Sequence, residues 1–195
     1  MSDHQKEAIV TKLNSFPKTR KIEIGQPQKE QGYFHFEVNL AAQASMDGGY
    51  VKQGAVQASV PGCSAFEIRC DEGGTIGGTD SAPPPLSYLA AGIAFCFLSH
   101  VSIYIKETKL DIKSIKIEQQ MRFTAAVYKM KEATDAPPKG LCDGVETYVF
   151  IESDEPREKI ERMMEVCKAA CMGLQTVTNA VPASMTLVLC NQLEA

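Results

Sequence analysis

The sequence predicts an α+β domain in which an antiparallel sheet packs on one long, buried central helix. Three observations carry this. Segments of period two occupy residues 21–70 and 114–151, an apolar stretch started by prolines runs from Pro83 to Ile105, and a charged amphipathic pattern follows Pro156. Hydrophobic residues make up 44% of the 195 residues and are spread without a break in composition, so one core is expected and a second is not called for.

Residues Asp3 to Phe16 set Ala8, Ile9, Leu13 and Phe16 at helical spacing ahead of Pro17, which predicts a short amphipathic helix. Residues 1–32 are therefore read as an N-terminal helical extension and 33–195 as the main domain. From Lys21 the pattern Lys-Ile-Glu-Ile alternates, and in Tyr33 to Leu40 the side chains of Phe34, Phe36, Val38 and Leu40 fall on one strand face. Asp47-Gly48-Gly49 marks a turn, and Ala65 to Cys70 returns as a strand. The glycine-rich run from Asp71 to Asp80 lacks the Gly-Lys-Ser/Thr ending of a phosphate loop and the dinucleotide spacing, so it reads as the approach to the helix.

Leu86 to Ile105 contains no acidic residue, lysine or arginine and reaches the length of a membrane span. Gly92, Ser99, His100 and Ser102 dilute it and nothing else is membrane-like, so the expectation is a soluble helix buried on nearly all sides, with no membrane partner. Ser114 to Phe123 alternates as a long strand with Gly144 to Ile151 as its hairpin partner. Between them Lys129 to Asp143, with Pro137, Pro138 and Gly140, reads as an exposed excursion. Pro156 opens a helix through Ile160, Met163, Met164, Val166 and Cys167; Gly173 to Asn179 reads as a short turn region, and Ala183 to Leu189 as a closing strand. The predicted order is strands, helix, two strands, helix, strand.

A net charge of -4 leaves no basic face for phosphate neutralisation, so nucleic acid is not an expected partner. The first residues offer neither a basic n-region nor an apolar h-region, which predicts a cytoplasmic protein with reduced thiols. Seven cysteines, an odd number at irregular spacing, do not form a disulfide framework. With no C-x-x-C pair and three histidines, neither a metal nor a cofactor is expected.

Two thiols stand apart. Cys96 lies midway along the apolar helix and Cys171 ends the charged one. A thiol reacts as its thiolate, and Cys96 is about ten residues, or roughly 15 Å, beyond the helix N-terminus, too far for the dipole of its own helix. His100, one turn on, is a local candidate to assist it, and Arg69 and Arg122 on predicted strands are distant ones. Read residue by residue, Cys96 and Cys171 are open between reactive and core thiols, and His100 between an activator and a half-buried histidine with a backbone partner. Cys167 and Cys171 sit four apart on one helix, so a bond between them constrains little.

The run Gly-Gly-Thr-Asp-Ser-Ala-Pro-Pro-Pro-Leu-Ser-Tyr-Leu-Ala-Ala-Gly-Ile-Ala-Phe-Cys at 77–96, with Cys171 and Asn179 far downstream, resembles the OsmC/Ohr family of osmotically induced and organic-hydroperoxide-resistance proteins. The resemblance implies an OsmC-like fold and a homodimer. It also implies a chemistry in which Cys96 attacks an organic hydroperoxide, Cys171 resolves the resulting sulfenic acid as a disulfide, and an external dithiol reduces it. Phe95, Phe97 and Leu98 suit an apolar peroxide. The hydroperoxide branch of the family carries an activating glutamate about ten residues before the reactive cysteine and an arginine in its first hairpin. Here that stretch holds Leu86 and Ser87, and no arginine lies between Lys21 and Arg69. The departure keeps a second expectation open, a non-catalytic module that binds a small apolar ligand or senses redox state, and a third, a structural partner that docks through its N-terminal helix.

Overall fold

The computed structural model describes residues 8–47, 49–125 and 139–189. They divide into two compact units, Met1–Tyr88 and Leu89–Ala195.

The first unit is built on a four-stranded antiparallel sheet. Its strands are β1 (Val10–Lys12), β4 (Val38–Ala44), β5 (Lys52–Ala58) and β6 (Phe66–Cys70), in the order β1-β6-β5-β4, and a separate hairpin joins β2 (Gln28–Glu30) to β3 (Tyr33–His35). The register aligns Leu40 with Val56 and Phe66, and Ala42 with Gly54, Ile68 and Val10, so one face of the sheet is apolar. Gly54 lets the strands close up on that face, because a Cβ there would stand 3.0 Å from Leu40 Cδ1.

Four expectations for this unit are corrected. Described residues 8–16 form no helix: the β-branched Val10 and Thr11 pair with the edge of β6, where Leu13 N–H donates to the Ala65 carbonyl and Arg69 N–H to that of Ile9. A free sheet edge outweighed the helical spacing. Lys21 to Ile24 is not a strand, since Thr19 Oγ1 bonds both the N–H and the carbonyl of Ile22 and curls the backbone. The single strand read over Tyr33 to Leu40 is two, with β3 turned into its own hairpin by Gln31 and Gly32 at φ 48° and 85°. Finally, β5 was not foreseen, because Gly54 and the alanines of its run carry little strand signal.

The glycine-rich run is a stapled loop. Asp71 is fully buried, and its carboxylate accepts from the N–H of Glu72, Thr79 and Ser81 and from the hydroxyls of Thr79 and Ser81, at 2.6 to 3.1 Å. Gly78 is obligatory, since a Cβ would lie 1.8 Å from the Glu72 carbonyl oxygen. The Thr79 hydroxyl and then the Ser81 and Glu72 amides hold the Asp71 carboxyl far below its ordinary range. A depressed carboxyl contributes stability that is fully present above the unfolded value of about 3.9 and disappears as pH falls through the folded one. Urea midpoints followed downward from pH about 5 are therefore expected to fall less steeply in Asp71→Asn than in the parent, from a lower starting point. Parallel slopes would remove Asp71 from the acid response.

The second unit carries α1 (Pro85–Thr108) from Leu89 onward, the hairpin β7 (Ile112–Thr124) and β8 (Leu141–Ser153), α2 (Arg157–Ala170) and α3 (Met172–Thr178). Ile115 pairs with Ile151, Ile117 with Val149 and Met121 with Val145, so the inner hairpin face is apolar, while Lys116 lies over the Phe150 ring on the outer one. Gln119 is a polar interruption of the inner face that is satisfied: its Nε2 donates to the Ala90 carbonyl and its Oε1 accepts from Thr147 Oγ1. The core is Phe97, Val101, Met163, Cys167 and Cys171, packed against Ile115, Ile117, Val149 and Ile151.

The long α1, the β7–β8 hairpin and α2 stand as expected, with Pro156 one residue ahead of α2. Three expectations for this unit are corrected. Within this chain α1 buries only the stripe Ile93, Phe97 and Val101 and leaves Phe95 67% and Ile103 59% exposed, so the chain does not cover the helix on all sides. By length and composition α1 could cross a membrane. Gly173 to Thr178 belong to the helix α3 rather than to a loop, with Asn179 as its extended cap, and residues 183–189 form no strand, because no strand among the described residues pairs with them and Met185 and Leu187 stand exposed. Of the excursion at Lys129 to Asp143, residues 126–138 lie outside the described residues, and Leu141 to Asp143 already belong to β8.

Candidate functional site

Pro83 and Pro84 fix the chain ahead of α1, and Pro85 is its first residue, where its missing N–H costs nothing. Cys96 follows three residues after Ile93 and directly precedes Phe97, so it lies beside the buried stripe, half-exposed and packed against the core. Cys171 is fully buried at the junction of two helices: it ends α2 and, with extended backbone, caps α3.

The first turn of α3 brings these thiols together. Gly173 N–H donates to Cys96 Sγ at 3.4 Å, and Leu174 N–H donates to Cys171 Sγ at 3.5 Å. Cys96 packs against the buried cluster that contains Cys171. Burial pushes the Cys171 thiol up against the Leu174 amide, and neighbouring Cys96 adds to the rise. An N–H aimed at sulfur suits a thiolate, and each of the two sulfurs receives one.

Gly173 makes this approach possible. A Cβ at that position would come within 3.1 Å of both Cys96 Cβ and Ile93 Cα. Sequence reading missed Gly173 and Leu174 because their contribution is main-chain N–H. The one available signal was a glycine two residues after a cysteine at a helix start. It also left Cys167 aside; this thiol is buried one turn before Cys171, and burial, then the charge of Cys171, push it up.

The other candidates do not meet the pair. His100 makes no hydrogen bond to either sulfur among the described residues, and Arg122 is committed to Glu146 at 2.9 Å. Arg69 lies on β6 in the first unit, where its carbonyl accepts from the Tyr88 hydroxyl. Among the described residues no group of three or more His, Cys, Asp or Glu could hold a metal ion. A cavity of about 960 Å³ opens in the second unit, lined by Ile93, Phe97, Met121, Val149, Met164 and Leu174 among others, with Glu161, Glu165 and Lys168 as its charges. Neither Cys96 nor Cys171 lines it, but Ile93, Phe97 and Leu174 flank them.

A family model described as OsmC-like protein matches residues 78–186, from the end of the glycine-rich loop past α3. The chain belongs to the OsmC-like family. The match includes both Cys96 and Cys171, so the pair lies in the part of the chain that carries the family pattern. An OsmC-like protein from Mycoplasma pneumoniae superposes with a TM-score of 0.50 at 14% identity, over 73% of this chain and 87% of that one, which is a likeness of fold. An OsmC-like hydroperoxide resistance protein from Jannaschia sp. CCS1 aligns over 80% of this chain and 95% of its own at 19% identity and a TM-score of 0.48. The organic hydroperoxide resistance protein OhrB of Bacillus subtilis aligns over 72% and 90% at 19% identity and a TM-score of 0.43. No curated protein matches the chain.

Proposed function

We propose that this OsmC-like chain serves in peroxide stress as a thiol-dependent reductase of organic hydroperoxides. The observation that carries the reading is that successive main-chain N–H groups of one helix turn meet the Cys96 and Cys171 sulfurs. The Cys96 thiolate attacks the distal oxygen of the O–O bond; the alkoxide leaves, takes a proton and departs as alcohol, and Cys96 becomes a sulfenic acid. Cys171 then attacks that sulfur, water leaves, and a disulfide joins them. An external dithiol reduces it and is itself oxidised to a disulfide. The Gly173 N–H takes the place of the absent glutamate and arginine as partner of the sulfur.

The reading includes a cytoplasmic homodimer. The half-exposed face of the first sheet, with Val38 65% and Leu40 49% exposed, and the open side of α1 are the apolar surfaces that a second copy would cover. A monomer in solution at micromolar concentration would defeat that part.

The test is a stoichiometric addition of cumene hydroperoxide or hydrogen peroxide to wild type, Cys96→Ser and Cys171→Ser. Wild type is expected to consume one equivalent of the organic peroxide and form a Cys96–Cys171 bond. Cys171→Ser is expected to yield a sulfenic acid trapped by dimedone, and Cys96→Ser no reaction. Equal rates with both peroxides would remove the apolar preference, and an unreactive Cys96 would remove the activity. The apolar cavity lying beside the pair, lined by neither thiol, favours one second reading, a non-catalytic module that binds a small apolar ligand or senses redox state. That reading gains if an apolar dye binds stoichiometrically while Cys96 stays inert to peroxide.

A further inference from the structure

The cavity of about 960 Å³ in the second unit is walled by Ile93 and Phe97 of α1, Met121 and Val149 of the hairpin, Met164 of α2 and Leu174 of α3. That volume stands near the top of the roughly 300–1,000 Å³ range of small-molecule sites, which is room for a long aliphatic chain rather than for one compact group.

The polar groups on its wall are already engaged. Thr147 Oγ1 donates to Gln119 Oε1, Gln119 Nε2 donates to the Ala90 carbonyl, and the Thr178 hydroxyl donates to the Leu174 carbonyl. Its charged residues are Glu161, Glu165 and Lys168, spaced by four and then three along α2 and so on one face of that helix. Glu161 accepts from Arg157 Nε at 2.6 Å and Glu165 from Arg162 Nη1 at 3.2 Å. Lys168 is different: its carbonyl accepts from Gln175 Nε2, but its ammonium makes neither a hydrogen bond nor an ion pair among the described residues.

We propose that this cavity holds a long-chain carboxylate, a fatty acid, with its chain against the apolar walls and its head at Lys168. The inference rests on the second reading above, in which the cavity binds an apolar ligand, and names the class of that ligand. The chain covers aliphatic surface where no wall group is left wanting a hydrogen bond. The head is a monoanion, because one free ammonium balances one charge and the two glutamates on the same helix face oppose the second charge of a phosphate. Lys168 is exposed, so the head stays in water at the mouth. Neither thiol lines the cavity, so the acid is held there without covalent change.

The experiment displaces Nile red, an uncharged dye, from the full-length protein with decanoate, dodecanoate or decanol below their micelle concentrations at near-neutral pH. Affinity is expected to rise about fourfold per methylene from decanoate to dodecanoate. Lys168→Met is expected to weaken decanoate about threefold and Lys168→Glu about tenfold, modest changes because the pair is exposed, and both leave decanol unchanged. The chain contains no tryptophan, so Val177→Trp places a single emitter on the cavity wall, and an ω-brominated dodecanoate is expected to quench it. Decanoate that binds Lys168→Glu as tightly as wild type, or decanol that weakens equally, overturns the carboxylate and leaves an apolar ligand standing. If neither the dye nor any of the chains binds, the second reading fails and this inference with it. Displacement of the dye without quenching in Val177→Trp overturns the location. Decanoate affinity is expected to be the same in Cys96→Ser, and its loss there would overturn the separation of this site from the thiols. The Lys168 variants alter an exposed side chain, so that comparison decides by itself if Val177→Trp fails to fold.

Discussion

Gly173→Ala is expected to slow alkylation of Cys96 by iodoacetamide at near-neutral pH about tenfold while leaving the helices in place. The new Cβ would sit 3.1 Å from Cys96 Cβ and Ile93 Cα, closer than side-chain carbons pack, so α3 must back away and the 3.4 Å N–H contact to Cys96 Sγ is the first to lengthen. A hydrogen bond to a charged group is worth about 1.5–3 kcal/mol, and each 1.4 kcal/mol is a factor of about ten in rate. Alanine is otherwise the better helix residue, by about 0.8–1 kcal/mol, so lower reactivity with little change in helicity separates loss of the N–H from unfolding. Gly92→Ala is the matched control, since a Cβ there meets nothing within 4 Å. Rates unchanged in Gly173→Ala would mean that the main-chain N–H does not support Cys96.

Met163→Ala is expected to lower the free energy of unfolding by about 2–5 kcal/mol, read from urea melts at an unchanged slope. Met163 is 0% exposed at the centre of the cluster that joins α1, the hairpin and α2, and its truncation leaves a void below Cys167 and Cys171. A loss of that size is a large share of the 5–15 kcal/mol by which domains are stable. A change below about 0.5 kcal/mol would show that this core collapses around the gap, and that the thiol cluster is held from elsewhere.

How far each element could be read depends on where its determinants lie. Pro85 starting α1, Pro156 preceding α2, and the alternation of Ile115, Ile117 and Met121 against Val145, Val149 and Ile151 are local signals, and those elements formed where they were expected. Ala8, Ile9, Leu13 and Phe16 carried a local helical pattern, but Val10 to Lys12 among them met a sheet edge, and hydrogen bonding to β6 prevailed. Residues 183–189 carried a local strand pattern and pair with no edge among the described residues. In both cases a strand depended on a partner that its own residues do not encode. The site divides the same way: Cys96 and Cys171 were legible as residue types in two helices, while the N–H groups of Gly173 and Leu174 have no signature in side-chain chemistry.

The amino-acid sequence by itself determined an α+β chain, its long apolar helix, its hairpin, the family pattern over 77–96 and the two thiols worth attention, because periodicity, prolines and residue chemistry are local properties. The tertiary structure alone shows that Cys96 packs on the cluster holding Cys167 and Cys171, and that a seven-residue helix, rather than a charged side chain among the described residues, supplies hydrogen bonds to the sulfurs. Those facts join residues 77 positions apart. They are set by how closely a glycine lets one helix approach another, and a chain read residue by residue does not contain that distance.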